Sequence, residues 1–200
     1  MRPKLYMSEI CPSARAVVLT AKVLELTLEL KEVQPCKDNK FIQQHSIPTL
    51  EDSGYVIWDS HAIIAFLVGK YGKDDSLYPR DLPKRSVIDQ RLRFDSGVIS
   101  FFTRTILNPI MYEDNVNTIT EIYSVVEHFF DENNEWIAGN DLTIADLSLI
   151  PSITSLGVVV PIDEKKFPKL ARWIKRAEAM PFYEANIKGL CKLRDSLNRC

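Results

Sequence analysis

The sequence carries almost no excess of charge of either sign, because 25 Lys and Arg residues face 27 Asp and Glu residues, for a formal net charge of -2. A balance this close produces no electrostatic field that would gather nucleic acid or an anionic membrane surface. The chain also lacks an apolar run long enough to cross a bilayer, and its first residues lead into Leu5 and Tyr6 without a signal-peptide apolar segment. These absences exclude nucleic-acid and membrane partners and predict a cytosolic protein.

Cysteine is scarce and irregularly spaced. The cysteines are Cys11, Cys36, Cys191 and Cys200, and they form neither a CxxC pair nor the spacing of a metal-binding motif. A reducing compartment would keep them as thiols. We therefore predict no metal cofactor.

Patterned apolar residues begin close to the N-terminus. Residues 13–26 have apolar side chains at helical spacing, between strand candidates at residues 4–6 and 28–33. A polar stretch that contains one proline follows at residues 34–40. This order predicts a βαβ opening and then a surface connection.

A hairpin and a further helix are predicted next. Pro48 opens a strand that ends at an Asp-Ser-Gly turn, and residues 56–58 pair back as the second arm. Asp59 and Ser60 occupy the N-cap position of a helix that runs to Tyr71. Together with the βαβ opening, this pattern predicts a compact four-stranded mixed sheet with helices.

The composition changes after residue 72. Residues 73–83 are polar, punctuated by prolines and without a period, which is typical of a domain boundary. Only helices are predicted beyond it, at residues 87–107, 118–132, 143–156, 167–180 and from 181 onward. We predict an N-terminal domain at residues 1–74, a linker at 75–83 and an all-helical domain at 84–200.

The helix that starts at Thr143 has a capping signal. Thr143 and Asp146 stand in capping-box register, with aspartate in place of the usual glutamate, ahead of a strongly apolar run. The pattern predicts a buried helix in which Asp146 stabilises the fold and takes no part in catalysis.

Cys11 lies where a predicted strand ends and a predicted helix starts. Pro12 follows it, and proline suits the first helical position because its missing N–H is not needed there. A cysteine just ahead of a helix faces unpaired N–H groups and the positive end of the helix dipole, both of which favour the thiolate. Cys11 is therefore a candidate reactive sulfur. Composition alone favours the alternative, a buried cysteine that packs as a small hydrophobic side chain.

Three segments carry a resemblance to a known family: IWDSHAI at residues 57–63, KYGKDDSLYP at 70–79 and LTIADLS at 142–148. With Ile47-Pro48 at a strand start, they are similar to insect glutathione transferases, most of all to the epsilon class. The resemblance covers nearly the whole chain. It implies a thioredoxin-like α/β N-terminal domain followed by an all-helical, all-α C-terminal domain. It also implies a homodimer that conjugates reduced glutathione, its co-substrate, to small apolar electrophiles in xenobiotic detoxification.

The resemblance also implies a glutathione site. The family's bond at Ile47-Pro48 is cis, which would expose a backbone N–H and C=O to pair with an extended thiol peptide. Asp59 and Ser60 would offer a hydroxyl and free N–H groups to the γ-glutamyl carboxylate, and a carboxylate to its amino group. Taken alone, a serine at a helix start is more often structural.

Further residues follow from the same resemblance. His45 could donate to the glycine carboxylate of glutathione, and Arg104 could turn toward the active site; a surface histidine and a solvated helix arginine are the alternatives. An acceptor pocket is predicted at Phe101, Phe102, Met111 and Tyr112. A helical core stripe explains its two phenylalanines equally well. Arg15 would support the site structurally or electrostatically, and His61 and His128 are interpreted as structural.

Two departures from the family pattern bear on the chemistry. Cys11 replaces the catalytic serine, whose hydroxyl donates the hydrogen bond that holds glutathione as a thiolate. A cysteine donates more weakly, and as a thiolate it would form a mixed disulfide with oxidised glutathione. The run Cys11-Pro12-Ser13-Ala14-Arg15 is similar to the omega class, whose members are glutathione-dependent thiol transferases and reductases. Without a second cysteine within three residues, a redox cycle would be monothiol.

The second departure is a shortening between Val33 and His45, which removes most of the second helix and another histidine that contacts glutathione. Charged groups of the tripeptide would meet fewer fixed partners, which predicts weaker binding. Glutathione conjugation is the main prediction. The alternatives are a thiol transferase or reductase that uses Cys11, and a non-catalytic ligand-binding protein.

Overall fold

The computed structural model of the chain describes residues 2–33, 47–107, 112–131 and 134–197, and at residues 100, 102–107 and 112–114 it describes the backbone alone. Within these ranges the chain forms a sheet-containing N-terminal half and a helical C-terminal half.

The N-terminal half contains β1 (Lys4–Met7), α1 (Pro12–Val23), β2 (Glu29–Glu32), β3 (Thr49–Asp52), β4 (Tyr55–Trp58) and α2 (Ser60–Tyr71). The strand order in the sheet is β2-β1-β3-β4. β1 pairs in parallel with β2 and antiparallel with β3, and β3 pairs antiparallel with β4. A parallel pair needs a crossover connection, which α1 supplies. The predicted mixed four-stranded sheet is confirmed.

A two-residue turn joins β3 to β4. Ser53 and Gly54 both have positive φ, at 51° and 86°, which is the backbone that tight hairpins with right-handed strand twist require. The turn places Asp52 opposite Tyr55 and so fixes the register of the hairpin. The sequence predicted this turn from the same residues.

In the described part of the C-terminal half the regular elements are helices, joined by turns and loops that include an isolated bridge between Trp136 and Gly139. This half contains α3 (Leu82–Leu107), α4 (Tyr112–His128), α5 (Ile144–Val159), α6 (Pro168–Glu178), a 3-10 turn (Pro181–Tyr183) and α7 (Glu184–Leu197). α5 is its central helix, because every residue from Ile144 to Leu156 is buried. A helix that is apolar all round is typical of a core position. Among the described helices, none has the length and apolar character needed to cross a membrane.

The start of α5 is organised by the buried carboxylate of Asp146. One oxygen accepts the Ile137 N–H at 2.8 Å and the Trp173 indole N–H at 2.9 Å, and the other accepts the Thr143 N–H at 2.9 Å and hydroxyl at 3.0 Å. Burial raises the pKa of Asp146 to about 6 against these hydrogen bonds, which lower it. The group is therefore ionised at neutral pH. The predicted capping box is confirmed, and Trp173 of α6 extends it into the tertiary structure.

The two halves share one continuous hydrophobic core, and α1 packs directly against α5. α1 buries Ala14, Val17 and Leu19. Because α1 packs against α5 and α7 of the helical half and against α2 of its own half, the start of α1 lies where the two halves meet.

Two predicted helix boundaries, the start of α3 and the end of α1, were wrong. α3 begins at Leu82 rather than at residue 87, because the Asp81 carboxylate accepts the Lys84 N–H at 3.0 Å and caps the helix earlier. α1 ends at Val23 rather than at residue 26, because Glu25 turns to a positive φ of 54°. The start of α3 falls inside the predicted linker, and the domain boundaries themselves stay predictions.

Helix bounds also differ in the C-terminal half. α4 spans Tyr112–His128, so it begins and ends earlier than the predicted 118–132. α5 continues to Val159, three residues beyond the predicted end. Apolar spacing marks which face is buried and says little about where the last turn ends.

Candidate active site

Cys11 is the N-cap residue of α1, and Pro12 is the first residue of that helix. The Cys11 carbonyl accepts the Arg15 N–H at 3.1 Å, and its own N–H donates to the Ser8 carbonyl at 3.0 Å. Cys11 as a residue is partly buried, at the edge of the hydrophobic core. The predicted position of Cys11, directly ahead of the first helix, is confirmed.

The thiol lies beside the backbone that leads into β3. Its Sγ approaches the Ile47 carbonyl oxygen at 3.9 Å, a long thiol hydrogen bond. Burial raises the pKa of Cys11 above its ordinary value, although the Ala14 and Ser13 N–H groups and the Arg15 charge lower it. The prediction that the helix start favours a thiolate was therefore wrong in its net direction, since desolvation outweighs the helix N-terminus. At neutral pH Cys11 is a protonated thiol and a hydrogen-bond donor.

The Ile47-Pro48 peptide bond is cis, as the family resemblance implies. Pro48 is buried and leads directly into β3. The carbonyl of Ile47 thus lies at the start of β3, on the side of the Cys11 sulfur. A main-chain acceptor and a thiol donor meet at this point of the N-terminal half.

A second polar group is found at the start of α2. Asp59 is its N-cap, and one carboxylate oxygen accepts the Ala62 N–H at 3.0 Å. Asp59 has a positive φ of 70°, an uncommon backbone for a residue with a side chain, and such residues cluster at functional sites. Ser60 is buried immediately after it. Asp59 therefore caps α2, and the N–H groups of the first turn of the helix lie next to Asp59 and Ser60.

His61 links this helix start to the helical half. Its Nε2 lies 3.0 Å from the Asp95 carboxylate on α3, and its Nδ1 lies 3.3 Å from the Ser96 hydroxyl. Asp95 is fully buried and also accepts the Ser148 hydroxyl of α5. The interpretation of His61 as structural agrees with these contacts. Asp95 was not singled out from the sequence, although an acidic residue on the buried stripe of Ile88, Leu92 and Val98 was an available signal.

The loop that precedes Cys11 is held by hydrogen bonds to β2 and by ion pairs with α7, near the other end of the chain. The Ser8 hydroxyl and the Glu9 N–H both donate to the Glu32 carboxylate, each at 3.3 Å. The Glu9 carboxylate pairs with Lys188 at 2.7 Å and with Lys192, both on α7. Burial raises the pKa of Glu9, but the two lysines outweigh it and hold the pKa below its usual range. The sequence analysis missed these contacts, since the partners are far apart in the chain.

The other predicted site residues are only partly located. His45 and Met111 lie outside the described residues. Arg104 and Phe102 are in the described backbone of α3, and Tyr112 begins α4, without a described side chain. Phe101 is partly buried and packs against the core, which agrees with its reading as part of a core stripe. The structure therefore brings together Cys11, Ile47 and Pro48, and leaves the acceptor pocket a prediction.

The chain has extensive similarity to known proteins. A family model described as "Glutathione S-transferase, C-terminal domain" matches residues 98–181. Glutathione S-transferase 1 of Manduca sexta is 36% identical over 207 residues, covering 94% of each chain. An epsilon-class glutathione S-transferase structure from the housefly, Musca domestica, is 42% identical, with a TM-score of 0.90 and coverage of 99% of this chain and 98% of that one. A glutathione transferase homologue of Drosophila mojavensis, solved with bound glutathione, is 41% identical, with a TM-score of 0.90 and coverage of 99% and 97%.

Proposed function

The chain belongs to the glutathione S-transferase family, and its relatives include insect proteins of the delta and epsilon classes; we propose that it conjugates reduced glutathione to small apolar electrophiles. Xenobiotic detoxification is the biological role that this activity serves. The observation that carries the proposal is the Cys11 thiol at the start of α1, beside the main-chain acceptor of Ile47. Glutathione is the co-substrate.

Cys11 acts in this proposal as a hydrogen-bond donor. A thiol with a raised pKa keeps its proton at neutral pH, so it donates to the glutathione sulfur and favours the thiolate of the substrate. The proton of glutathione leaves to water. The sulfur then forms a bond with the electrophilic carbon, and the leaving group departs with its electron pair. The gain comes from stabilising the attacking thiolate and from placing it near the electrophile.

The tripeptide itself is held by groups of the N-terminal half. The backbone N–H and C=O of Ile47 pair with its cysteinyl part, and Ser60 and the first turn of α2 receive the γ-glutamyl carboxylate. Asp59 faces the γ-glutamyl amino group with the carboxylate oxygen that does not cap Ala62. His45 and Arg104 are proposed as additional partners, and the acceptor electrophile is proposed to lie against Phe101, Phe102, Met111 and Tyr112.

The test is a conjugation assay with a panel of electrophiles, using the wild-type protein, Cys11→Ala and Cys11→Ser. Removal of a donor to the reacting sulfur should lower kcat/KM by about 100-fold in Cys11→Ala, whereas Cys11→Ser should retain activity because serine also donates. Cys191→Ala is the matched control, since Cys191 is exposed on α7. Unchanged conjugation in Cys11→Ala would remove Cys11 from the mechanism.

Thiol–disulfide exchange through Cys11 requires a thiolate, and the raised pKa of this residue disfavours it. Mass spectrometry after treatment with oxidised glutathione distinguishes the two reactions. A glutathione adduct on Cys11 that reduced glutathione releases would favour exchange, and its absence favours conjugation. Retention on immobilised glutathione without turnover would instead identify a ligand-binding protein.

We also propose that the protein is a homodimer that uses β4 as part of its interface. β4 is an edge strand of the sheet, and its Val56 and Trp58 lie on one face with 56% and 48% of their surfaces exposed. Edge strands are ordinarily covered by another element or protected by charged residues. Because β4 exposes apolar side chains instead, we propose that a second copy of the chain covers it. Sedimentation should show a dimer for the wild type and a shift toward monomer for Trp58→Glu. Ile187→Glu, on the exposed side of α7, should remain dimeric.

A further inference from the structure

The loop of residues 8–11 connects β1, which ends at Met7, to α1, which begins at Pro12. It is closed by a turn, because the Cys11 N–H donates to the Ser8 carbonyl at 3.0 Å. Cys11 is the second residue after Glu9 in this short loop. A displacement of the Glu9 main chain therefore moves Cys11, and the anchoring of Glu9 bears on where the thiol lies.

The Glu9 carboxylate forms ion pairs with two lysines of α7. The Lys188 Nζ lies 2.7 Å from one carboxylate oxygen, and Lys192 pairs with the other oxygen. The Glu9 side chain is only 20% exposed, whereas every other glutamate whose ion pair the structure describes is at least 42% exposed. An exposed ion pair is worth little, but a carboxylate shielded from water needs its cations. We call Glu9, Lys188 and Lys192 the Glu9 clamp.

The main chain of Glu9 also lies directly against α7. A Cβ added to Gly189 would lie 2.3 Å from the Glu9 carbonyl oxygen, so the missing side chain is what lets the helix approach this closely. The same carbonyl accepts a hydrogen bond from the Arg15 guanidinium at 3.4 Å. Arg15 is buried and also donates to the Pro151 carbonyl and the Ser155 hydroxyl of α5. The helical half thus holds Glu9 through its side chain and through its main chain.

The opposite side of the loop is attached to β2 by weaker contacts. The Ser8 hydroxyl and the Glu9 N–H donate to the Glu32 carboxylate at 3.3 Å, and Glu32 is exposed. Long hydrogen bonds to an exposed carboxylate compete with water. The attachment to α7 is therefore the one that decides where the loop lies.

The thiol of Cys11 depends on this attachment for its position. Among the described residues, its Sγ approaches the Ile47 carbonyl oxygen at 3.9 Å, a long contact, and it makes no capping hydrogen bond to α1. The main chain of the loop is thus what places the sulfur. A misplacement of about 1 Å in a reacting group can cost about 100-fold in rate.

We infer that Glu9 is a positioning residue, and that the Glu9 clamp fixes the Cys11 thiol at the place where it meets the sulfur of glutathione. The clamp acts through the main chain of the loop and not by contact with the substrate. It makes α7, near the other end of the chain, a part of the active-site framework. The position of the thiol is a property of the free protein, whereas the effect on conjugation rests on the proposed function.

The first experiment uses the free protein and needs no catalytic activity. Alkylation of Cys11 by iodoacetamide is followed by mass spectrometry of the Cys11 peptide, which separates it from Cys191 on α7. The double variant Lys188→Gln/Lys192→Gln should react about 5-fold faster than the wild type, because a released loop exposes a partly buried thiol. Loss of two positive charges would by itself slow the reaction, so a faster rate reports movement of the loop.

The second experiment measures conjugation by the same double variant. Its kcat should fall about 10-fold, because the thiol no longer lies where the glutathione sulfur needs its donor. Its KM for glutathione should stay within about 2-fold of the wild-type value, since Ile47, Ser60 and the start of α2 are unchanged. This split between kcat and KM, together with the faster alkylation, is not expected from a general loss of stability.

Three further variants test whether the residues act as a unit. Glu9→Gln breaks the clamp from its other side and should have the same two effects, and combining it with the double variant should add almost nothing. Lys188→Arg/Lys192→Arg keeps both charges and should match the wild type. Lys175→Gln is the matched control: it breaks the exposed ion pair with Glu164 and should change neither the alkylation rate nor kcat.

The outcomes separate positioning from stability. Both lysines are exposed, so the double variant is expected to fold. Wild-type alkylation and wild-type kcat in that variant would overturn the inference, even with a lower melting temperature, and so would additive losses when Glu9→Gln is combined with it. If neither clamp variant folds while the arginine variant does, the clamp is structural and the inference is likewise overturned. Absence of conjugation in the wild type would remove the proposed function, while the alkylation rates would still decide whether the clamp holds the thiol.

Discussion

The helices α1 and α5 begin in different ways, although a titratable side chain stands at each start and burial raises the pKa of both. At α5 the group is a carboxylate whose raised pKa of about 6 still leaves it charged at neutral pH, with four donors around it. At α1 the group is the thiol of a partly buried residue, and desolvation raises its pKa, so it stays neutral. The ordinary acidity of the two groups decides the outcome. At the start of α5, both carboxylate oxygens of Asp146 are hydrogen-bonded within the fold. At the start of α1, the Cys11 thiol makes only one long contact and can donate to a ligand.

The largest effect on stability should come from removing the buried carboxylate at the start of α5. Asp146→Ala leaves the N–H groups of Ile137, Thr143 and Trp173 buried without their acceptor. At about 1 kcal/mol or more for each lost hydrogen bond, the free energy of unfolding should fall by about 4 kcal/mol. Denaturant unfolding measures this loss. Asp141→Ala, at an exposed aspartate of the same turn, should change stability by less than about 0.5 kcal/mol.

A somewhat smaller effect should appear as a pH dependence. The folded-state pKa of Asp146, about 6, lies above its unfolded-state value of about 4, so the folded protein binds more protons between these two pH values. The contribution of this group to stability is full below pH 4 and is lost as the pH rises through 6, by at most about 3 kcal/mol. Asp146→Asn has no such titration. The unfolding free energy of the wild type minus that of Asp146→Asn should therefore decrease as the pH rises through this window, and an increase with pH would contradict the assignment.

The smallest effect on stability should come from adding a capping side chain at the start of α1. The Cys11 side chain makes no capping hydrogen bond to α1. Cys11→Ser should gain an N-cap bond and raise the free energy of unfolding by about 0.5–1 kcal/mol. Cys11→Ala, which also lacks a capping group, should stay within about 0.5 kcal/mol of the wild type. A large loss of stability in either variant would mean that Cys11 serves folding, as Asp146 does.

The fold was largely predictable where its signals are short-range. The hairpin turn at Ser53-Gly54 and the start of α1 at Pro12 are both specified by neighbouring residues. Helix ends were predicted less well, because Asp81 began α3 earlier than the apolar spacing indicated and Glu25 ended α1 sooner. Apolar periodicity reports burial, and a cap can begin a helix before its buried face starts.

The same distinction between short-range and long-range signals applies to the candidate site. The sulfur at Cys11 and the cis bond at Ile47-Pro48 were found from sequence motifs, and the structure brings them together. The pairing of Glu9 with Lys188 joins residues 179 positions apart, and the burial of Arg15 depends on α5 and α7. Sequence neighbours of these residues carry no sign of such partners.

The sequence by itself determined which groups stand at each helix start, because caps, turns and prolines act on the few residues beside them. Only the tertiary structure decided in which direction and how far their pKa values shift. The pKa of a thiol or a carboxylate depends on how much water is removed and which charges are fixed nearby, and both are set by segments distant in the chain. For this protein, the motif supplied a thiol at the start of α1, and the packing around it raised the pKa of that thiol further above neutral pH.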